Sequence, residues 1–237
     1  MEALAFLTIL PVRARPGAPG RAALVAFPLV GLLLGAAWAG IAWGAVRLWG
    51  PLPAAAFVLL FDLIATGGLH LDALADLADG LASRKPAGEA RALMHRPEIG
   101  AVGAAVLVVA LLLKFALIGH LVAQARLGDL VAVPVAGRLA MVVLISIARP
   151  APGSALASGL SPAATSQVAL WAGLTSLVVG LLVAGIPGVV AMMLAGLAAP
   201  PAGSYFRRRL GGITGDAVGA AGIGAEIVAL GLLSGWR

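Results

Sequence analysis

Asp72, Asp76 and Asp79 are three of the ten acidic residues in this chain, and they fall within eight positions. Spacings of four and three put them on one stripe of a helix. Carboxylates stacked this way repel one another by about a few tenths of a kcal/mol per pair, so packing alone does not call for the arrangement. A hard divalent cation does, because Mg²⁺ takes carboxylate oxygens, keeps several waters and completes its shell with substrate phosphates. The stripe lies inside Thr66–Gly80, read Thr-Gly-Gly-Leu-His-Leu-Asp-Ala-Leu-Ala-Asp-Leu-Ala-Asp-Gly, at the end of a nearly uncharged apolar run. That placement points to a membrane enzyme acting on a phosphorylated substrate.

A second cluster, Arg207-Arg208-Arg209-Leu210-Gly211-Gly212-Ile213-Thr214-Gly215-Asp216, precedes the last apolar segment. Its glycines let backbone approach a ligand closely, and Thr214 or Asp216 can cap the helix that follows. The free N–H groups and positive dipole end of that helix make an anion site. A phosphate gripped there complements a metal held by the aspartates. The plainer alternative makes the arginines a stop-transfer anchor and the glycines a turn.

The elements that must position these residues are membrane helices. Hydrophobic residues make up 61% of the chain and charged residues 11%, against roughly 25% charge in a soluble domain. Mean hydropathy is +1.05. The 237 residues therefore form one all-α, polytopic helical bundle in the lipid bilayer, a single domain over residues 1–237. The absence of cysteine excludes disulfides and thiolate chemistry. The net charge of +6 reflects topology, since no aromatic-interleaved basic patch suggests nucleic acid. The pattern leaves room for a homo-oligomer.

About 20 apolar residues cross a bilayer. About seven spans follow: Leu24–Trp49, Pro53–Leu69, Gly100–Ala123, Leu130–Ala148, Gln167–Gly185, Pro187–Pro201 and Ala217–Ser234. The fifth and sixth, joined by Ile186-Pro187-Gly188, read as a hairpin or a broken helix. The first twelve residues are too short to cross and lie in the interface; Arg13 and Arg15 behind them reverse a cleavable signal's charge order. Gly-x-x-x-Gly occurs at Gly31/Gly35, Gly40/Gly44 and Gly215/Gly219, a weak packing signal in a chain with 32 glycines. With the N-terminus cytosolic, eleven basic residues (Arg13, Arg15, Arg21, Arg84, Lys85, Arg91, Arg96, Arg149 and Arg207–Arg209) face the cytosol. Three, Arg47, Arg126 and Arg237, face the other side. This positive-inside bias brings both polar clusters to one face.

Thr66–Gly80 resembles the Thr-Gly-Gly-(Phe/Leu)-His-Leu-Asp-Gly-Leu-Ala-Asp-x-x-Asp-Gly signature of the cobalamin synthase family, also called adenosylcobinamide-GDP ribazoletransferase. Gly211–Ala221 is similar to that family's Gly-Gly-x-Thr-Gly-Asp-x-x-Gly-Ala-Ala block. Phe6–Val12, Phe27–Gly35, Gly137-Arg138 and Ala148-Arg149-Pro150 match in the same order, so the resemblance covers nearly the whole chain. Three departures stand out. His95-Arg96-Pro97-Glu98-Ile99-Gly100 replaces a basic–Asp–Ser–Arg–(Ile/Leu)-Gly segment, Ala73 replaces a Gly, and Ile223 stands where Glu is frequent, with Glu226 retained.

The resemblance implies an enzyme of the bacterial cytoplasmic (inner) membrane that joins adenosylcobinamide-GDP to α-ribazole or its 5′-phosphate, releasing GMP, with Mg²⁺ as cofactor. A ribose hydroxyl attacks the cobinamide-side phosphorus, and positioning and neutralising the pyrophosphate dominate catalysis. In this assignment Asp72, Asp76 and Asp79 hold one or two Mg²⁺. Asp216 completes the metal site or orients the donor. Gly212, Thr214 and Gly215 approach the pyrophosphate, and Arg138 and Arg209 stabilise the leaving GMP. The base is Asp79 or His70.

Each assignment has a plainer counterpart. The aspartates can be a solvated face, and His70 an interfacial histidine bonded to a carbonyl. Arg138 lies about eight residues, roughly 12 Å, into its span, where a charge lines a cavity or pairs internally. Asp62 and Glu226 read as neutral, hydrogen-bonded core acids, either of them a partner for Lys114. Two rival functions remain. An ion-coupled carrier would also bury Asp62, Lys114, Arg138 and Glu226, but no inverted repeat accompanies them. A CDP-alcohol phosphotransferase also uses an Asp-rich membrane helix, but its Asp-Gly-x-x-Ala-Arg pattern is absent; the chain has Asp76-Leu77-Ala78-Asp79-Gly80.

Overall fold

The computed structural model describes residues 1–13 and 17–236; Arg15 and Arg237 of the charge count lie outside them. The described residues form twelve helices: α1 (Glu2–Leu7), α2 (Arg21–Val25), α3 (Phe27–Trp49), α4 (Pro51–Thr66), α5 (Leu69–Ala82), α6 (Ala87–Met94), α7 (Ala101–Ala123), α8 (Leu127–Ile147), α9 (Ala155–Leu160), α10 (Ser166–Leu197), α11 (Ala199–Leu210) and α12 (Gly215–Gly235). A single parallel bridge, Pro150 to Ile213, is the one β-type pairing among them. The chain is an all-α membrane bundle. Five helical stretches are long and apolar enough to cross a bilayer, six if α4 and α5, bent by 88°, count as one broken span. In that number α4, 16 residues long, does not count alone, and residues 166–210 count once although this apolar stretch of 45 residues is folded on itself.

That fold is a helical hairpin. Gly185 takes φ 64° and ψ −147° inside α10, a combination open to glycine and hostile to side chains. Beyond it the chain reverses, so Gly180 and Gly188 touch backbone to backbone; a Cβ on Gly180 would lie 2.9 Å from the Gly188 carbonyl oxygen. Eight residues of straight helix would hold them roughly 12 Å apart. The returning limb continues through Ala198, itself helical at φ −72° and ψ −20°, into α11.

α8 is the axis of the bundle, enclosed by α3, α10 and α12, and nearly all its side chains are buried. Close approach by α3 depends on one glycine pair. A Cβ on Gly31 would sit 2.6 Å from the Pro134 carbonyl oxygen, and one on Gly35 2.3 Å from that of Val131. The same spacing at Gly40/Gly44 faces open space. Gly215 and Gly219 meet different neighbours, Leu156 and Ala73. Of three identical sequence patterns, one joins two spanning helices through both of its glycines.

Two ends of the bundle are distinct. At one, the Arg126 guanidinium donates to the carbonyls of Leu233 (2.8 Å) and Trp236 (2.9 Å), closing the α7–α8 turn on the end of α12. At the other, α5, α6 and the N-termini of α7 and α12 gather with the 149–151 and 211–213 segments. There Arg209 donates to the Leu81 carbonyl at 3.2 Å and Arg91 to that of Leu210. The N-terminal segment is tied to this end, with the Ile9 amide donating to the Ala65 carbonyl at 2.9 Å.

Candidate active site

Gly67 and Gly68, both left-handed at φ 63° and 72°, end α4 and turn the chain into α5. The bend sets α5 across the bundle end, outside the spans. Its stripe is in place, but its three carboxylates are used differently. Asp72 is exposed and Asp76 half-buried. Asp79 Oδ2 accepts from the Gly100 amide at 2.7 Å and Oδ1 from the Gly103 amide at 2.8 Å. It thus caps α7 from another helix, satisfying two of the orphan donors of a helix start. Both partners must lack a side chain, because a Cβ at either would fall within 2.4 Å of an Asp79 oxygen. A role for Asp79 as ligand or base competes with this structural one, which sequence spacing does not reveal.

Asp216 arrives from the other side. Thr214 caps α12, its hydroxyl accepting from the Ala217 amide at 3.1 Å, and Asp216 follows in the first turn, where the helix dipole favours a carboxylate. The Asp76 carboxyl is pushed up to about 6, first by burial and then by the charges of Asp72, Asp216 and Asp79, with His95 opposing. Two acidic segments about 140 positions apart therefore converge, as the charge pattern implies. Among the described residues, no group of three or more His, Cys, Asp or Glu side chains is arranged to hold a metal ion by itself.

The glycine turn is more structural than expected. Gly211 and Gly212 have φ 80° and 154°. A Cβ on Gly212 would meet the 149–151 backbone at 2.6–2.7 Å. The Ile213 amide donates to the Arg149 carbonyl at 2.9 Å, and the Ala151 amide to that of Ile213 at 2.8 Å. Thr214 is 2% exposed, and Gly215 faces Leu156 Cδ2, 2.7 Å from where a Cβ would stand. Gly212, Thr214 and Gly215 thus build and pack the turn, and their identities need no phosphate. Arg209 stays at the edge of the acidic end, bonded to α5.

Arg138 and His70 are placed elsewhere. Arg138 is buried and bound to Glu226 Oε1, which removes it from the set of groups facing a leaving nucleotide. Glu226 Oε2 accepts from Lys114 Nζ at 2.7 Å, and Lys114 also reaches Asp62 Oδ2 at 3.2 Å beneath the Trp38 ring. Two acids and two cations from α4, α7, α8 and α12 thus form a neutral buried cluster. The sequence offers Lys114 either core acid as a partner, and in the structure it pairs with both. His70 turns inward, 5% exposed, and its Nε2 has no hydrogen-bond partner among the described residues, as is also true of Arg138 Nε and Nη2.

The acidic stripe divides two cavities. A groove of about 1090 Å³ runs between α1, α4, α5 and α7 and reaches Asp72. A smaller pocket of about 310 Å³ is lined by Asp76, Asp79, Leu93, Arg96, Glu98 and Gly100. Ile99 lines both.

Comparison with known proteins gives the family. Residues 1–234 match the family model described as cobalamin-5-phosphate synthase. An adenosylcobinamide-GDP ribazoletransferase of Geotalea daltonii is 37% identical over 233 residues, covering 96% of this chain and 93% of that protein. Proteins of the same name from Roseiflexus sp. and Stutzerimonas stutzeri are 34% identical over 236 residues (98% and 88% covered) and 38% identical over 230 (92% and 90% covered). No solved structure matches.

Proposed function

We propose that this chain, which belongs to the cobalamin-5-phosphate synthase family, transfers the cobinamide-phosphate moiety of adenosylcobinamide-GDP to α-ribazole or its 5′-phosphate. A ribose hydroxyl oxygen attacks the cobinamide-side phosphorus; the bond to the bridging oxygen breaks, and GMP leaves with the electron pair. The observation that carries the reading within the site is the convergence of Asp72 and Asp76 with Asp216 beside a pocket holding Arg96.

Mg²⁺ fits this donor set: hard oxygens, like charges that together raise Asp76, and no lysine or arginine among the groups that shift it. Asp72, Asp76 and Asp216 would hold it, since one or two carboxylates plus substrate phosphates suffice. When bound it supplies charge neutralisation on the pyrophosphate. Arg96 and Arg209 face the departing guanylate, whereas Arg138 belongs to the buried cluster. With Asp79 committed to α7 and His70 buried, the hydroxyl proton passes to water at the mouth of the site. A loose phosphoryl transition state asks little of a base. The basic residues favour a cytosolic acidic end in the bacterial cytoplasmic membrane.

Purified protein in detergent is expected to release GMP from adenosylcobinamide-GDP only when α-ribazole and Mg²⁺ are both present. GMP release without acceptor, or no release with all three, sinks the assignment.

A further inference from the structure

Five of the seven buried side-chain atoms that lack a hydrogen-bond partner among the described residues belong to Trp38, Asp62, His70 and Arg138, so the unmet polarity is gathered in one place. These residues come from α3, α4, α5 and α8, and none is more than 6% exposed. Three of them ring the buried charges. The Trp38 ring centre lies 5.0 Å from Lys114 Nζ, Lys114 reaches Asp62 Oδ2 at 3.2 Å, and Arg138 shares Glu226 with Lys114. His70 closes the group from the acidic end. It packs on Gly219 of α12, its Cδ2 3.7 Å from where a Cβ would stand, and Gly219, Gly222 and Glu226 follow on one face of that helix. Arg138 is the charge that weighs most on His70, ahead of Asp62 and Lys114.

The unmet atoms define what can meet them. Arg138 Nε and Nη2 and Trp38 Nε1 only donate, the Asp62 carboxylate oxygen only accepts, and His70 Nε2 does one or the other by tautomer. A metal cation would face the guanidinium and the Lys114 ammonium. A halide would accept from the donors but has no proton for Asp62 Oδ1, and it would lie beside two carboxylates. Water both donates and accepts, and it adds no charge to a cluster that is already neutral. Buried waters typically make about three bonds to polar groups of this kind.

We propose that water enclosed by Trp38, Asp62, His70 and Arg138 bridges His70 Nε2 to the open edges of Arg138 and Asp62. It joins α5, whose first turn carries Asp72, to α3, α4 and α8. The site is built by the fold and holds whether or not the chain transfers cobinamide phosphate.

Hydroxyl radicals from a brief X-ray pulse oxidise side chains that touch enclosed water, including those that bulk solvent does not reach. In the full-length chain in detergent, Trp38 and His70 are expected to be oxidised. Met192, 1% exposed in the apolar core on α10, should stay unmodified although thioethers react readily. Dilution into heavy-oxygen water just before the pulse should put the isotope into exposed His95 and leave it out of Trp38. Trp38 and His70 as unmodified as Met192 would overturn the proposal and leave the donors to an anion. Oxidation of Trp38 without His70 would overturn the bridge. Immediate uptake of heavy oxygen at Trp38 would replace the enclosed site by a channel open to bulk solvent, and overturn it as well.

Discussion

Two aspartates three positions apart on α5 should respond in opposite ways to removal of their charge. Asp76 is pushed from 3.8 up to about 6, so folding disfavours its ionised form. Its ionisation therefore costs nothing below the unfolded value of 3.8, and the cost grows as pH rises and is complete above about 6. In a chelator, Asp76→Asn should have a higher melting temperature than the unmodified chain at pH 7.5 and the same one near pH 4, while GMP release is lost. Asp79 carries two amide bonds into α7. Asp79→Ala should lower the melting temperature at pH 7.5, by about 1–3 kcal/mol in stability, because it strands the donors of a helix start. Thermal unfolding of both variants at two pH values checks the pair. A stabilised Asp79→Ala would return that residue to the cation.

Between elements, the deciding quantity is how closely two backbones approach. Gly35 lies against rigid helix backbone at Val131, and Gly40, five residues on, lies against nothing. Overpacking a site that cannot give way typically costs 1–3 kcal/mol or more. Gly35→Val is expected to separate α3 from α8 and leave little folded protein, and Gly40→Val to express and melt like the unmodified chain. Size-exclusion yield and melting temperature in detergent read the difference, and equal behaviour would discard the α3–α8 contact. Ala73 belongs to the same account. It stands where the signature that Thr66–Gly80 resembles has glycine, and a Cβ on Gly219 would fall 2.7 Å from the Ala73 Cβ. The α5–α12 contact that joins the acidic groups therefore tolerates one methyl group on one side only.

Across the whole molecule, four buried charges lock the helices that present the site. Glu226 joins Lys114 to Arg138, roughly 15 Å below Asp216 on α12. Removing one partner of a buried pair leaves an uncompensated charge, at a cost of about 3–5 kcal/mol. Glu226→Gln should destabilise the chain by that order, and adding Arg138→Gln, which restores neutrality, should recover part of the loss. Failure of the double variant to recover would mean that geometry, and not charge balance, is what the cluster supplies. Orientation is tested separately. The chain has no cysteine, so Lys85→Cys and Arg208→Cys provide unique thiols. Both should resist an impermeant reagent in intact cells and react in inverted vesicles; labelling from outside would reverse the proposed sidedness.

Apolar runs, the one-sided acidic stripe and the family signature are all legible in the sequence, because helix periodicity and bilayer thickness translate spacing directly into face and depth. The convergence of Asp72 and Asp76 with Asp216 is legible too, through the distribution of arginines. Only the tertiary structure decided which polar groups remain available for chemistry. Asp79 finds its partner 24 positions away, Arg138 88 away and Lys114 112 away. The same Gly-x-x-x-Gly spacing packs two spans at Gly31/Gly35 and meets open space at Gly40/Gly44. Each outcome depends on what another helix presents across a gap of a few ångströms, and a residue's own neighbours in sequence carry no record of that.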